Sequence, residues 1–235
     1  MSISDTSLQE RYQKVQNDFQ LAHKINPDAR LLAVSKTRDA EEIRQIHTLG
    51  QKAFGENYLQ EGLEKIQQLS ELDIEWHFIG PLQSNKTRSV AENFQWLHTL
   101  DRLKVAQRLN NQRPENQTPL NVCIQVNLDN EPTKSGVSLQ DIPSLANEIA
   151  NLSNLKLRGL MAIPRARKDY QEQFDAVATL SEALEHLKQQ FKNDPRVQLD
   201  TLSIGMSNDM EAALAAGSSM VRIGTAIFGP RPNKQ

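Results

Sequence analysis

Cys123 is the one cysteine in a chain of 235 residues. A lone thiol cannot form an intramolecular disulfide framework, so a reducing compartment is expected. Its setting, VCIQV, is that of a small core residue. Metal-ligand patterns are also lacking. No CxxC occurs, and the five histidines at 23, 47, 77, 98 and 186 keep no ligand spacing. No apolar run approaches the roughly 20 residues that span a bilayer. The opening stretch MSISDTSLQERYQK is polar and lacks the apolar centre of a secretory signal. A soluble, cytoplasmic protein with no membrane partner is therefore expected. Charge of one sign is not in excess either. A net charge of -2 gives no electrostatic case for a nucleic acid. Finally, AVSKTRDAEE, which follows the first apolar run, contains no glycine. An open doubly wound sheet would carry a Gly-rich phosphate turn there. A nucleophile elbow of the GxSxG kind is absent as well.

The remaining sequence alternates between two periods. Leu8, Tyr12, Val15, Phe19 and Ala22 recur at spacings of three and four, one face of a helix that Asn26-Pro27-Asp28 ends. Strands are then predicted at 30–34, 52–55, 75–79, 95–99, 120–126, 156–161, 202–205 and 220–223. Helical patterns fall between them. One carries Leu59, Leu63, Ile66 and Leu69 inward. Another spans 101–108, with Asp101 placed to cap it. The longest buries Phe174, Val177, Leu180, Leu184, Leu187 and Phe191. Strands alternating with helices imply parallel pairing and right-handed crossovers. Eight such units after an extra N-terminal helix fit a single (β/α)8 TIM barrel. No linker interrupts the pattern, so one domain over residues 1–235 is expected.

The working face of such a barrel is formed by the loops after the strands. Lys36 follows the first strand, Glu56 and Asn57 the second, and Asn127 the fifth. Met161 ends the sixth, while Met206 and Ser207 follow the seventh. Arg222 lies in the eighth, which Gly224-Thr225 follow. His77 alternates with apolar neighbours in WHFIG and reads equally as a satisfied core histidine or a functional one. The loops GMSN and GTAIFG suit phosphate, because glycine lets backbone N–H groups approach an anion and the hydroxyls add donors. Ser207 is expected to cap a helix starting near Asn208. Asp209 and Glu211 already complement that helix and oppose an anion. A half-buried lysine on the same rim can form a Schiff base with a carbonyl compound. Lysine plus phosphate cup leaves two ligands open, pyridoxal phosphate or a phosphorylated sugar.

The stretches LLAVSKT, FGENYLQEG, EWHFIGPLQSNK, TKSGV, GLMAIP and LSIGMSNDMEAALAAGSSMVRIGTAIFG resemble the pyridoxal phosphate homeostasis protein family. The likeness runs in order from about Leu31 to Gly229, and the family's fold is similar to the barrel domain of alanine racemase. The resemblance implies that Lys36 holds pyridoxal 5'-phosphate covalently as an internal aldimine. It implies that Ser207, Gly224 and Thr225, with the backbone at Met206, bind the phosphate, and that Arg222 faces the pyridine nitrogen. Asn57, His77 and Met161 would surround the ring, and Lys134 matches a family lysine near the site. Arg38, Ile204 and Asn208 stand where the family commonly has lysine, methionine and alanine. Arg38 cannot form a Schiff base.

The expected function is cofactor homeostasis without catalytic turnover. An arginine at the pyridine nitrogen keeps it unprotonated, which makes the ring a poor electron sink. A racemase of the resembled type needs a second, β-rich domain, and the sequence ends soon after the eighth strand. PLP-dependent apoenzymes are the expected recipients, and a monomer is expected. A small racemase-like enzyme of amino acids is the alternative. A phosphosugar aldolase or isomerase using Lys36 would be colourless.

Overall fold

The computed structural model describes residues 6–230. Helix α1, Leu8–His23, opens with a capping box. Ser7 Oγ accepts from Glu10 N (3.2 Å), and the Glu10 carboxylate accepts from Ser7 N (2.8 Å). Together these satisfy backbone donors that a helix start leaves open. Its buried face is Tyr12, Val15, Phe19 and Ala22, four of the five residues the periodicity named.

Eight parallel strands follow: β1 Arg30–Val34, β2 Ala53–Glu56, β3 Glu75–Phe78, β4 Trp96–Leu100, β5 Leu120–Val126, β6 Leu155–Ala162, β7 Val197–Ser203 and β8 Met220–Ile223. They close in sequence order into a barrel, with β8 pairing back to β1. The helices between them are α2 Ala40–Thr48, α3 Leu59–Gln68, α4 Thr87–Asn93, α5 Leu103–Gln112, α6 Ile142–Ala150, α7 Tyr170–Gln190 and α8 Met210–Ala215. A short α9, Thr225–Phe228, ends the order. This is the (β/α)8 barrel with an extra N-terminal helix that the alternating periods predict.

Strand alternation sorts the core. Outward residues such as Ala33, Phe54, Phe78 and Leu97 pack under the helices in one large cluster. Inward residues form two small ones, Leu32-Val34-Ala53-Ile79-Met220 and Trp96-Cys123-Met161. The N-terminal end of the barrel is closed by charge pairs. Arg30 meets Glu75, and Arg158 grips Asp200 through two bonds of 2.9 and 2.7 Å while lying 4.5 Å from the Trp96 ring centroid. Gly159 makes the β6–β7 contact possible. It sits at φ +152°, and a Cβ there would lie 1.8 Å from Thr201 O. Gly159→Ala is expected to cost about 2 kcal/mol or more, read as a lower urea midpoint.

Three local expectations are corrected. β7 begins five residues earlier than its apolar run suggests, because its first half lies at the charged end, where Asp200 is exposed to meet Arg158. Asp101 does not cap α5. The helix starts one residue later, at an Arg102 N-cap without a side-chain bond, and the Asp101 carboxylate takes the Arg102 guanidinium at 2.6 Å. In α3 the buried centre is Gly62 and Lys65, with Leu59, Leu63 and Ile66 on its half-buried flanks.

Candidate functional site at the C-terminal mouth of the barrel

Closure of the barrel brings the two ends of the sequence together. In the β1–β8 pair Ala33 stands opposite Ile223. Past the end of β7, Arg222 N donates to Gly205 O at 3.0 Å. The chain after β1, the GMSN loop and the GTAIFG loop are therefore neighbours on one rim. Gly224 passes so close to β1 that a Cβ would lie 3.2 Å from Val34 O.

Lys36 occupies the second position of a four-residue turn, closed by Arg38 N donating to Ser35 O at 3.1 Å. Thr37, the third, has φ +64°, a left-handed conformation that a β-branched residue adopts only when its surroundings impose it. The surroundings are a buried charge cluster. Lys65 Nζ donates to Ser35 O (2.7 Å), Glu56 Oε1 (2.8 Å) and Glu61 Oε1 (2.5 Å). Ser35 Oγ donates to Glu56 Oε1 at 2.6 Å, and Thr37 N donates to Glu61 Oε1 at 2.5 Å. Both neighbours of Lys36 are thus clamped while Lys36 itself is half-buried at the apex. Burial pushes the Glu56 carboxyl above the usual carboxylate range, against the opposing pull of the Lys65 cation.

On the neighbouring loops, Met206, Ser207 and Thr225 are exposed and Gly224 is half-buried. The first backbone bond inside α9 is Ile227 N to Gly224 O at 2.9 Å, so the N–H groups of Thr225 and Ala226 precede the helical ladder and suit an anion. Ser207 does not cap α8. That helix starts at Met210, and the N-cap residue is Asp209. Asp209 instead accepts the Met206 N–H at 2.5 Å, so the backbone donor expected at Met206 is engaged in this state. Removing that carboxylate's charge favours an anion at the cup. Asp209→Asn is expected to tighten binding of a phosphate-bearing ligand at these loops about five-fold, roughly 1 kcal/mol for one nearby solvent-screened charge, and an equilibrium titration measures it.

Arg222 lies beneath the mouth, nearly buried at 6% exposure. Its guanidinium donates to Ser203 O (2.6 Å), Ser203 Oγ (2.9 Å) and Ala162 O (3.0 Å). Burial lowers its pKa to about 10, so it remains a cation at neutral pH. His77 and Met161 are fully buried one layer down. Met161 packs with Trp96 and Cys123. His77 stacks on Trp96 at 5.2 Å, and both of its ring nitrogens are taken, by Glu75 and His98. On the far side of the mouth a cleft of about 200 Å³ is lined by Asn57, Thr99, Gln125, Asn127 and Lys134, among others. Asn57 Oδ1 is buried there without a partner, and Lys134 Nζ pairs with Glu131 at 2.7 Å. Arg38 is committed elsewhere, donating to Gly229 O (2.6 Å) and Pro230 O (2.7 Å) beyond α9. Among the described residues no cluster of His, Cys, Asp and Glu could hold a metal, and no helix is long and apolar enough to cross a membrane.

A family model, alanine racemase N-terminal domain, matches residues 9–232. A pyridoxal phosphate homeostasis protein from Pasteurella multocida is 51% identical over 97% of both chains. The protein of the same name from Escherichia coli K12 is 54% identical, covering 86% of this chain and 85% of its own. The chain belongs to the pyridoxal phosphate homeostasis protein family. Among solved structures, PipY of Synechococcus elongatus with PLP bound is 33% identical, with a TM-score of 0.83 over 95% of this chain and all of that one. PipY thus holds PLP on a backbone similar to this one.

The residues present fit that cofactor. A lysine amine, hydroxyls and free N–H groups line neighbouring parts of one rim, and a buried cation lies underneath. The residues that reading the sequence missed are Ser35, Glu61 and Lys65, which together with Glu56 shape the Lys36 turn, and Ser203, which contacts Arg222, with His98 behind it on the Ser203 hydroxyl. Their signal was faint. A buried lysine in α3 reads as an ordinary surface lysine, and a histidine in WLHTL reads as filler.

Proposed function

We propose that this chain acts as a single barrel domain that holds pyridoxal 5'-phosphate covalently at Lys36 and releases or passes it on. When bound, the cofactor supplies an aldehyde for a lysine amine and a ring that can accept electrons. Ser207, Gly224, Thr225 and the backbone at Met206 hold its phosphate. Arg222 faces its ring nitrogen, with Asn57 beside the ring and Met161 and His77 in the layer supporting it. The observation that carries the reading is the strand order β7-β8-β1, which sets the Lys36 turn against both phosphate-type loops. The names of the relatives and the PLP in PipY support it.

Turnover is not part of this function. A fixed cation at the ring nitrogen opposes its protonation and so weakens the electron sink. The protein works in the cytoplasm as a monomer, and PLP-dependent apoenzymes receive the cofactor. It takes no nucleic acid and no membrane.

One absorbance spectrum of the purified protein, before and after borohydride, tests the reading. Visible absorbance that borohydride bleaches, with the added mass on the Lys36 peptide, is expected. A colourless protein that gains no colour from added pyridoxal phosphate would favour a phosphosugar ligand. A second reading, a small racemase-like enzyme of amino acids, draws on the cleft beside the mouth, where Lys134 is the cation. Steady turnover of an amino acid by pure protein would establish it.

A further inference from the structure

A line of hydrogen bonds crosses the inside of the barrel from its closed end to its mouth. At the closed end Arg30 pairs with Glu75. Glu75 Oε1 meets His77 Nε2 at 2.8 Å, and His77 Nδ1 meets His98 Nε2 at 2.8 Å. His98 Nδ1 meets Ser203 Oγ at 2.9 Å, and Ser203 Oγ meets Arg222 Nη1 at 2.9 Å. His77, His98 and Ser203 are wholly buried. From Glu75 onward the strands involved are β3, β4, β7 and β8, so the line crosses the barrel interior and does not follow one strand.

The ends of the line fix its direction. An ionised carboxylate only accepts and a guanidinium only donates, while a neutral imidazole does one of each. His77 must give its Nε2–H to Glu75, which leaves Nδ1 as an acceptor. His98 must then donate from Nε2 to His77 and accept at Nδ1. Ser203 sends its hydroxyl proton to His98, and its lone pair turns to Arg222. One proton arrangement satisfies every contact with both imidazoles neutral. Their surroundings agree. Burial pushes the His77 imidazole below its ordinary value, and burial followed by neighbouring positive charge pushes His98 well below. Glu75 is held below the usual carboxylate range, the hydrogen bond from His77 and the Arg30 charge outweighing the upward push of its partial burial.

We propose that Ser203, His98, His77 and Glu75 are positioning residues for Arg222: together they fix which lone pair the guanidinium meets, and so tune its contact with the ring nitrogen of a cofactor seated above. The inference rests on the reading that Arg222 faces that nitrogen. The two carbonyls, Ser203 O and Ala162 O, hold the guanidinium in any case. The line governs the remaining contact at Ser203 Oγ. Cutting it at His98 frees the Ser203 hydroxyl to rotate, and a proton can then face Arg222 where a lone pair did.

Two measurements test this. In the cofactor-free wild type, nitrogen NMR of the histidine rings should find His77 and His98 both as the Nε2–H tautomer; an Nδ1–H on either ring overturns the line. In protein loaded with pyridoxal phosphate labelled with nitrogen-15 in its ring, Ser203→Ala and His98→Leu should each shift the ring resonance from its wild-type position. Cys123→Ala, equally buried in the barrel but off the line, should leave it in place. The proposal is overturned if both line variants keep the wild-type resonance while Arg222→Leu moves it. If Arg222→Leu also leaves it unmoved, the placement of Arg222 at the ring nitrogen fails, and the proposal falls with it.

Discussion

Lys36→Ala protein mixed with pyridoxal phosphate and treated with borohydride carries no covalent cofactor and has no visible absorbance beyond that of free pyridoxal phosphate. The expectation follows from the position of the amine. Lys36 is at the apex of a turn whose two flanking residues are locked from below, half-buried beside the loops proposed for the phosphate. Lys134 stands across the mouth, and its Nζ is paired with Glu131 at 2.7 Å. Arg38, the nearest cation along the chain, cannot form an imine and is bonded to the carbonyls of Gly229 and Pro230. A non-covalent complex should persist in the variant, because the proposed phosphate donors and Arg222 are untouched. Equilibrium dialysis then reports weakened but measurable affinity. A borohydride-stable mass on Lys36→Ala protein would place the covalent site elsewhere and overturn the assignment.

Much of this was legible from periodicity. The barrel follows from eight alternations of period two and period 3.6, and Lys36, Ser207, Gly224 and Thr225 from their places after strands. The unread parts share a physical cause. Each depends on a contact between residues distant in sequence that offsets a local cost. Lys65 is buried because Glu56, Glu61 and Ser35 O accept its charge. Without those partners, a lysine on that face of α3 would be assigned to water. Gly62 completes the inversion. A Cβ there would lie 3.0 Å from Phe94 Cζ and 3.3 Å from Glu56 Cβ, so the helix approaches the barrel along a face that hydropathy alone scores as polar. The same holds for the start of β7, whose exposed Asp200 makes sense only beside Arg158. His77 and His98 look like isolated polar residues in apolar strands until the barrel closes and brings them together.

Lys65→Met should destabilise the fold by about 3–5 kcal/mol, the range for removing one member of a buried ion pair. The loss comes less from the missing attraction than from what is left behind. The Glu56 side chain is fully buried, Glu61 is part-buried, and Ser35 O loses its side-chain donor. Urea denaturation measures the effect, and a loss below about 1 kcal/mol would mean that water or a rearranged side chain replaces the ammonium. Lys65→Met/Glu56→Leu should recover part of the loss, since replacing a buried pair by apolar groups removes the stranded charge. It should not recover the site. Ser35 keeps no partner for its hydroxyl in that variant, and the Glu61 carboxylate that accepts from Thr37 N has lost the Lys65 ammonium that held it in place. Covalent attachment at Lys36 should therefore remain impaired in the restabilised double variant. That split, with stability partly returned and attachment not, separates a cluster that shapes the Lys36 turn from one that merely fills the space behind it.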